Sequence, residues 1–156
     1  MVKVHKGKIE GKGIKVGIIV GRFNEIITNK LLDGAVNCLE QHRTDSDNIE
    51  VFWVPGSFEI PKLAGILANN KKFDGIICLG AVVRGETPHF DYIAAEVSKG
   101  VAQVGLSSKI PVIYGVLTTD TVEQAFDRAG AKTGNKGWEA ALTLMEMIDL
   151  QKIAGK

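Results

Sequence analysis

Cysteine is scarce in this chain. Only Cys38 and Cys78 are present, set singly in apolar segments with no CxxC pair, so neither a disulfide framework nor a cysteine metal site is drawn. They read as small buried hydrophobes of a reduced, cytosolic protein. An excess of one charge is missing too: nineteen Lys plus Arg stand against eighteen Asp plus Glu, for a formal net charge of +1. That balance gives no support to a nucleic-acid or anionic-membrane surface. No apolar run approaches the roughly 18 residues of a membrane helix; the longest, Ile76 to Val83, is interrupted by Gly80. Met1 to Lys15 alternates Lys and Gly without an apolar stretch, so it does not read as a secretory signal. Aromatics are few, at 6%. A chain with so few flat walls has little with which to enclose a bulky planar ligand alone.

What is abundant is apolar content, 45%, in a length of 156 residues that suits one domain with a real core. Glycine is also high, 18 residues against a usual share of roughly 7%. Strand and helix signals alternate. Lys15 to Val20 reads as a strand, then Ile26, Ile27, Leu31, Leu32, Ala35 and Leu39 recur at helical spacing. Ile49 to Val54 is a second strand, followed by a helix through Ile60, Leu63, Ala64 and Leu67. Gly75 to Val83 is a near-continuous apolar run, the mark of a strand covered on both faces. Phe90, Ile93, Ala94, Val97, Val101 and Val104 make a third helical stripe; Ile110 to Leu117 is a fourth strand with Pro111 at its start. Helices over Val122 to Arg128 and Trp138 to Ile153 complete the chain. Four strands each followed by a helix imply a three-layer α/β sandwich, a four-stranded parallel sheet flanked by helices, with ligands at the carboxyl ends of its strands.

The segments after the strands are therefore where chemistry belongs. Gly21-Arg22-Phe23-Asn24 lacks a GxGxxG fingerprint, and Phe23 is either a core plug or a ligand platform. Pro55-Gly56-Ser57-Phe58-Glu59-Ile60-Pro61 brackets a carboxylate between prolines: a stiff helix start, or a backbone held to present its amides. In Arg84-Gly85-Glu86-Thr87-Pro88-His89-Phe90, Thr87 suits an N-cap and Pro88 a first helical residue, which puts His89 in a first turn. There the helix's positive end disfavours further positive charge, and the imidazole is either a solvated side chain or a general acid/base. The run Gly130 to Gly137 is not a phosphate loop, since no Ser or Thr follows a GK pair and a helix precedes it; it leaves a basic cluster of Arg128, Lys132 and Lys136 beside a helix start at Asn135. With no Ser-His-Asp order, HExxH or paired carboxylates, the residues alone reach a cofactor-free α/β enzyme that handles a phosphorylated small molecule with one histidine.

Taken together, VGRFN, WVPGSFEIP, GAVVRGETPHFDY, PVIYGVLTTDT and DRAGAKTGNKG resemble, in order and spacing, the lumazine synthase family of riboflavin biosynthesis, from about Gly11 to Met147. The resemblance implies a flavodoxin-like sandwich. It implies condensation of 5-amino-6-(D-ribitylamino)uracil with 3,4-dihydroxy-2-butanone 4-phosphate, releasing phosphate and water, with no metal or organic cofactor. By the same resemblance His89 holds the proton-transfer position. Phe23 would stack on the pyrimidine, and Ser57, Phe58 and Glu59 would bind the uracil compound with Ala81, Val82 and Val83 at the ring edge. Gly85, Glu86 and Thr87 form the loop whose amides hold the butanone phosphate, Glu86 turning its carboxylate away, with Arg128 as charged partner. Lys136 lies near the pyrimidine oxygens. Tyr114 matches an aromatic supplied by the neighbouring subunit, where phenylalanine is the commoner residue.

The resemblance further implies a cytoplasmic homopentamer and association with riboflavin synthase. The compact GAKTGNKG linker is of the type that closes twelve pentamers into a hollow icosahedral shell; a free pentamer or decamer is the other assembly. Residues 1–156 form one domain, with 1–14 as an extension packing on a neighbouring subunit. The competing reading is a non-catalytic flavin-binding or shell-forming protein of the same fold.

Overall fold

A computed structural model describes residues 1–132 and 134–156, and Thr133, inside the Gly130–Gly137 turn, lies outside the described residues. The elements are β1 (Val16–Gly21), α1 (Glu25–Gln41), β2 (Ile49–Val54), α2 (Ile60–Asn69), β3 (Gly75–Val83), α3 (His89–Ser107), β4 (Val112–Thr119), α4 (Val122–Arg128) and α5 (Lys136–Ala154). The four strands form one parallel sheet in the order β2-β1-β3-β4. This is the expected three-layer α/β sandwich. Period-two alternation divides the central strands between two cores. Ile18, Val20, Ile77 and Leu79 face Leu31 and Ala35 of α1 and Leu144 and Met145 of α5. Ile19, Ile76 and Cys78 face Ile60 and Ala64 of α2 and Val97 and Val101 of α3. Each fully buried Ile or Leu contributes about 1.5–3 kcal/mol of transfer free energy, which holds the layers together.

Three boundaries depart from the sequence reading, each for a local reason. Strand β4 begins at Val112, because Pro111 has no N–H and takes part through its carbonyl, which accepts from the Ile76 N–H at 2.9 Å. Helix α5 starts two residues early, at Lys136, because the Asn135 side chain accepts from the N–H groups of Gly137 and Trp138. Helix α3 begins at His89 with Pro88 as its N-cap and no side-chain cap, so Thr87 does not fill the capping role expected of it. Both cysteines are buried and free, as read; burial pushes the Cys38 thiol up to about 11 and Cys78 to about 12. Cys38 Sγ nevertheless lies 3.7 Å from Nδ1 of His42, one turn on. Among the described residues no helix is long and apolar enough to cross a membrane.

The first residues carry no helix or strand. Met1 to Lys6 are exposed, whereas from Gly7 the segment lies on its own chain: the Lys8 N–H donates to Asp149 of α5 at 2.8 Å and the Gly11 N–H to the His42 carbonyl at 2.8 Å. Arg43 grips Glu10 through two hydrogen bonds, at 2.6 and 3.2 Å. Together with the Lys12 N–H, this holds the Glu10 carboxyl down at about 2.

Two outcomes follow. The Glu10 value is depressed on folding, so the tether is whole above the ordinary carboxyl value of 4.5 and is lost as pH falls toward 2. Amide protection across Lys8 to Lys12 should therefore fall only as pH drops from 4.5 toward 2, and Arg43→Gln should move the onset upward; an unchanged onset would refute the tether. Packing of α1 on α5 relies on Gly137, where any Cβ would run into the Leu31 carbonyl. Gly137→Ala should lower stability by about 2 kcal/mol or more in urea unfolding, and a neutral result would contradict that close approach.

Candidate active site

The functional cleft is built where the sheet's connections part. From β1 the chain moves outward to β2, whereas β3 lies on the other side of β1, so the loops leaving β1 and β3 diverge and open a space over their carboxyl ends. The β1 turn is laced to β2: the Arg22 N–H donates to the Val54 carbonyl at 2.8 Å and the Phe23 N–H to Pro55 at 3.1 Å. Asn24 then adopts the left-handed conformation, φ 62°, which asparagine tolerates better than most residues. Its Nδ2 donates to the Ala81 carbonyl at 2.9 Å, spanning from β1 to β3 beyond their last paired residues, Val20 and Leu79.

The cleft holds about 650 Å³. Phe23, 73% exposed, and Phe58, 58% exposed, present bare rings to it. Ser57 is buried, its hydroxyl seated over Gly80, where a Cβ would collide with it. Glu59 ends the short 3-10 turn that leads into α2. Ala81, Val82 and Val83 line the floor, Gly85 and Thr87 the rim, and His89 stands exposed at the first position of α3. Glu59 and His89 are the only titratable lining groups among the described residues. The N–H groups of Gly85, Glu86 and Thr87 make no hydrogen bond among the described residues, so a row of donors stands open beside the start of a helix. Such an arrangement accepts an anion. No cluster of metal-ligating side chains occurs among the described residues.

Ten residues singled out from the sequence thus share one cleft: Phe23, Ser57, Phe58, Glu59, Ala81, Val82, Val83, Gly85, Thr87 and His89. Four do not line it. Glu86 is exposed and does not line it. Arg128 ends α4 and spends one guanidinium nitrogen on the Gln124 carbonyl, and Lys136 is exposed at the head of α5. Tyr114 lies within β4, its hydroxyl 2.8 Å from Ser98 Oγ, beside a separate apolar hollow of about 430 Å³ formed with α3. Burial pushes its phenol up. Phe90, which the sequence places both in the segment after β3 and in the α3 stripe, lines the cleft as well; conversely, Asn24, Pro55, Gly56 and Ile93 line it without having been singled out. For Asn24 a signal existed, a residue tolerant of positive φ directly after a strand. Ile93 was absorbed into the α3 core stripe, of which it and Phe90 are the cleft-facing end.

Sheet order, switch-point cleft, exposed aromatic platform and open amides define a flavodoxin-like α/β protein with a site for a flat, anion-bearing small molecule. Residues 13–152 match the family model described as 6,7-dimethyl-8-ribityllumazine synthase. A protein of that name from Clostridium kluyveri is 57% identical over 149 residues, covering 96% of this chain and 97% of the relative. The chain belongs to the 6,7-dimethyl-8-ribityllumazine synthase family, transferases of riboflavin biosynthesis.

Asn24 should be separable into its backbone and side-chain contributions. Asn24→Ala loses the Ala81 hydrogen bond and strains the left-handed backbone, for about 2 kcal/mol, whereas Asn24→Gly loses only the bond, for about 1 kcal/mol. Unfolding measurements that reverse this order would reject the bridge.

Proposed function

We propose that this cleft condenses 5-amino-6-(D-ribitylamino)uracil with 3,4-dihydroxy-2-butanone 4-phosphate to 6,7-dimethyl-8-ribityllumazine, in the cytoplasm, and that it does so chiefly by positioning. The observation that carries the assignment of roles is the meeting, in one cleft, of an exposed Phe23 ring, a histidine heading α3 and unbonded loop amides. Phe23 stacks on the pyrimidine and Glu59 accepts from ribityl hydroxyls. The backbone at Ala81 to Val83 meets the ring edge, and the amides of Gly85 to Thr87 receive the phosphate. The 5-amino group attacks the ketone and expels water to form an imine. Phosphate then leaves, and the ribitylamino nitrogen closes the second ring with loss of another water. His89 relays the protons these steps exchange. Holding two reactants in register replaces a bimolecular encounter and supplies most of the acceleration.

The phosphate's cation comes from a second copy in this reading. Among the described residues no Lys or Arg lines the cleft, while Arg128, Lys136 and Tyr114 of the same chain lie outside it. A pentamer in which each chain lends these three residues to its neighbour completes every site. Exposed Tyr92 and Leu106 on α3, and Val2 and Val4 in the free N-terminal segment, are apolar surface for such contacts, and the pentamers close into the icosahedral shell that associates with riboflavin synthase. A non-catalytic flavin-binding or shell protein has no observation in its favour.

The assay follows lumazine formation from both substrates by fluorescence; a rate equal to the spontaneous one refutes the activity. His89→Ala should slow turnover only partly, and Arg128→Ala should raise KM for the butanone phosphate more than tenfold, as loss of a charge-assisted phosphate contact does. Co-assembled His89→Ala and Arg128→Ala chains should exceed the mean activity of the two variants measured separately. Activity equal to that mean would place Arg128 in the cleft of its own chain.

A further inference from the structure

We infer that Arg84 is a positioning residue for this reaction, acting through the first turn of α3 that carries His89; the inference rests on the reading of His89 above. Arg84 follows β3, and its N–H donates to the Thr119 carbonyl at 2.9 Å, so its backbone belongs to the rigid sheet. Its side chain turns back on the loop it begins. Nε donates to Asp120 at 2.9 Å in the β4–α4 turn, Nη1 lies 3.2 Å from Asp91 in the first turn of α3, and the guanidinium stacks 4.4 Å from the centre of the Phe90 ring, a wall of the cleft. The two residues that follow His89 in the helix start are therefore tied to the sheet by one planar cation.

Apart from the packing of Phe90 and Ile93 on the core, no other side chain among the described residues makes a hydrogen bond or ion pair to that segment. The amides of Gly85, Glu86 and Thr87 are unbonded, Thr87 does not cap α3, and the bond from the Asp91 N–H to the Pro88 carbonyl at 3.0 Å is internal to the turn. Arg84 is the polar tie that, beside the packing of Phe90 and Ile93, fixes the height of His89 above the sheet. A guanidinium can bridge two carboxylates and lie flat on an aromatic ring at once, and an ammonium cannot. Both ion pairs are exposed, with 44% of the arginine side chain open, so they matter little to global stability and much to local geometry.

Arg84→Met, Arg84→Lys and Asp120→Asn are to be assayed as assembled protein, in the native background and with His89→Ala. Positioning predicts that Arg84→Met lowers kcat roughly five- to tenfold with KM for the uracil substrate and the melting temperature unchanged. Arg84→Lys restores little, Asp120→Asn lowers kcat in the same direction, and Arg84→Met costs nothing more once His89 is gone. Full rescue by lysine, with tighter phosphate-substrate binding in Asp120→Asn, would show a simple charge effect and overturn the proposal. So would a loss in the His89→Ala background as large as in the native one, or a fall in melting temperature that accompanies the loss of rate. If the native protein itself gives no acceleration, the functional reading fails first, and that result is distinct from all of these.

Discussion

The pairing of β1 with β3 is the constraint on which the rest of this molecule depends. Both strands are buried on both faces, so every backbone polar group in them must be met by a neighbouring strand, and the register from Val16 opposite Gly75 to Val20 opposite Leu79 leaves no freedom to slide. Because β2 adds to one side of this pair and β4 to the other, the chain must leave β1 and β3 in opposite directions. The gap that opens between those exits is the cleft. Its first polar contact is the Asn24 side chain on the Ala81 carbonyl, which extends the pairing past its last rung and keeps the two exits at a fixed spacing.

Close approach, more than turn geometry, accounts for the glycines that matter most here. Gly80 leaves room for the Ser57 hydroxyl, which lets the 3-10 turn after β2 settle against the end of β3 and brings Phe58 and Glu59 to the cleft. The substitution-intolerant contact of Gly137 with α1 does the same for the head of α5. Asn135 beside it caps α5 and also donates to the carbonyls of Lys30 and Ala129, so the end of α4, α1 and α5 are fastened at one residue. Arg128 and Lys136 stand on either side of that fastening, which fixes the separation of the two cations without bringing either into the cleft of its own chain.

Most of the fold was legible because apolar periodicity reports directly on burial: β2 and β3 occupy the residues their apolar runs mark, and α4 the stretch assigned to it. Where the boundaries moved, a specific competitor acted, the missing N–H of Pro111 or the strong Asn135 cap. The cleft was legible at its strand ends, since topology alone directs attention there. Ile93 was not, because a helical stripe looks the same whether its first turns meet a core or a cavity. Tyr114, Arg128 and Lys136 mark the deeper limit. Their residue types say that they are suited to substrate, but the position of a residue relative to another copy of the chain leaves no trace in local pattern.

Electrostatics makes the same point from the cleft outward. A phosphate monoester brings nearly two negative charges near neutral pH, whereas the head of a helix offers about half a positive charge, and open amides supply direction more than net charge. The lining adds one carboxylate of the wrong sign and one histidine, with Glu86 kept outside. One chain therefore presents a site shaped for a flat ring and an anion but short of charge by more than one unit. The cations of the right kind are exposed on the same chain and away from the cleft, so on the proposed reading association does more than add stability: it supplies the missing charge. An isolated chain would bind the uracil compound through Phe23 and Glu59 while holding the phosphate substrate poorly, and the order in which affinity for the two substrates appears on assembly follows from that asymmetry.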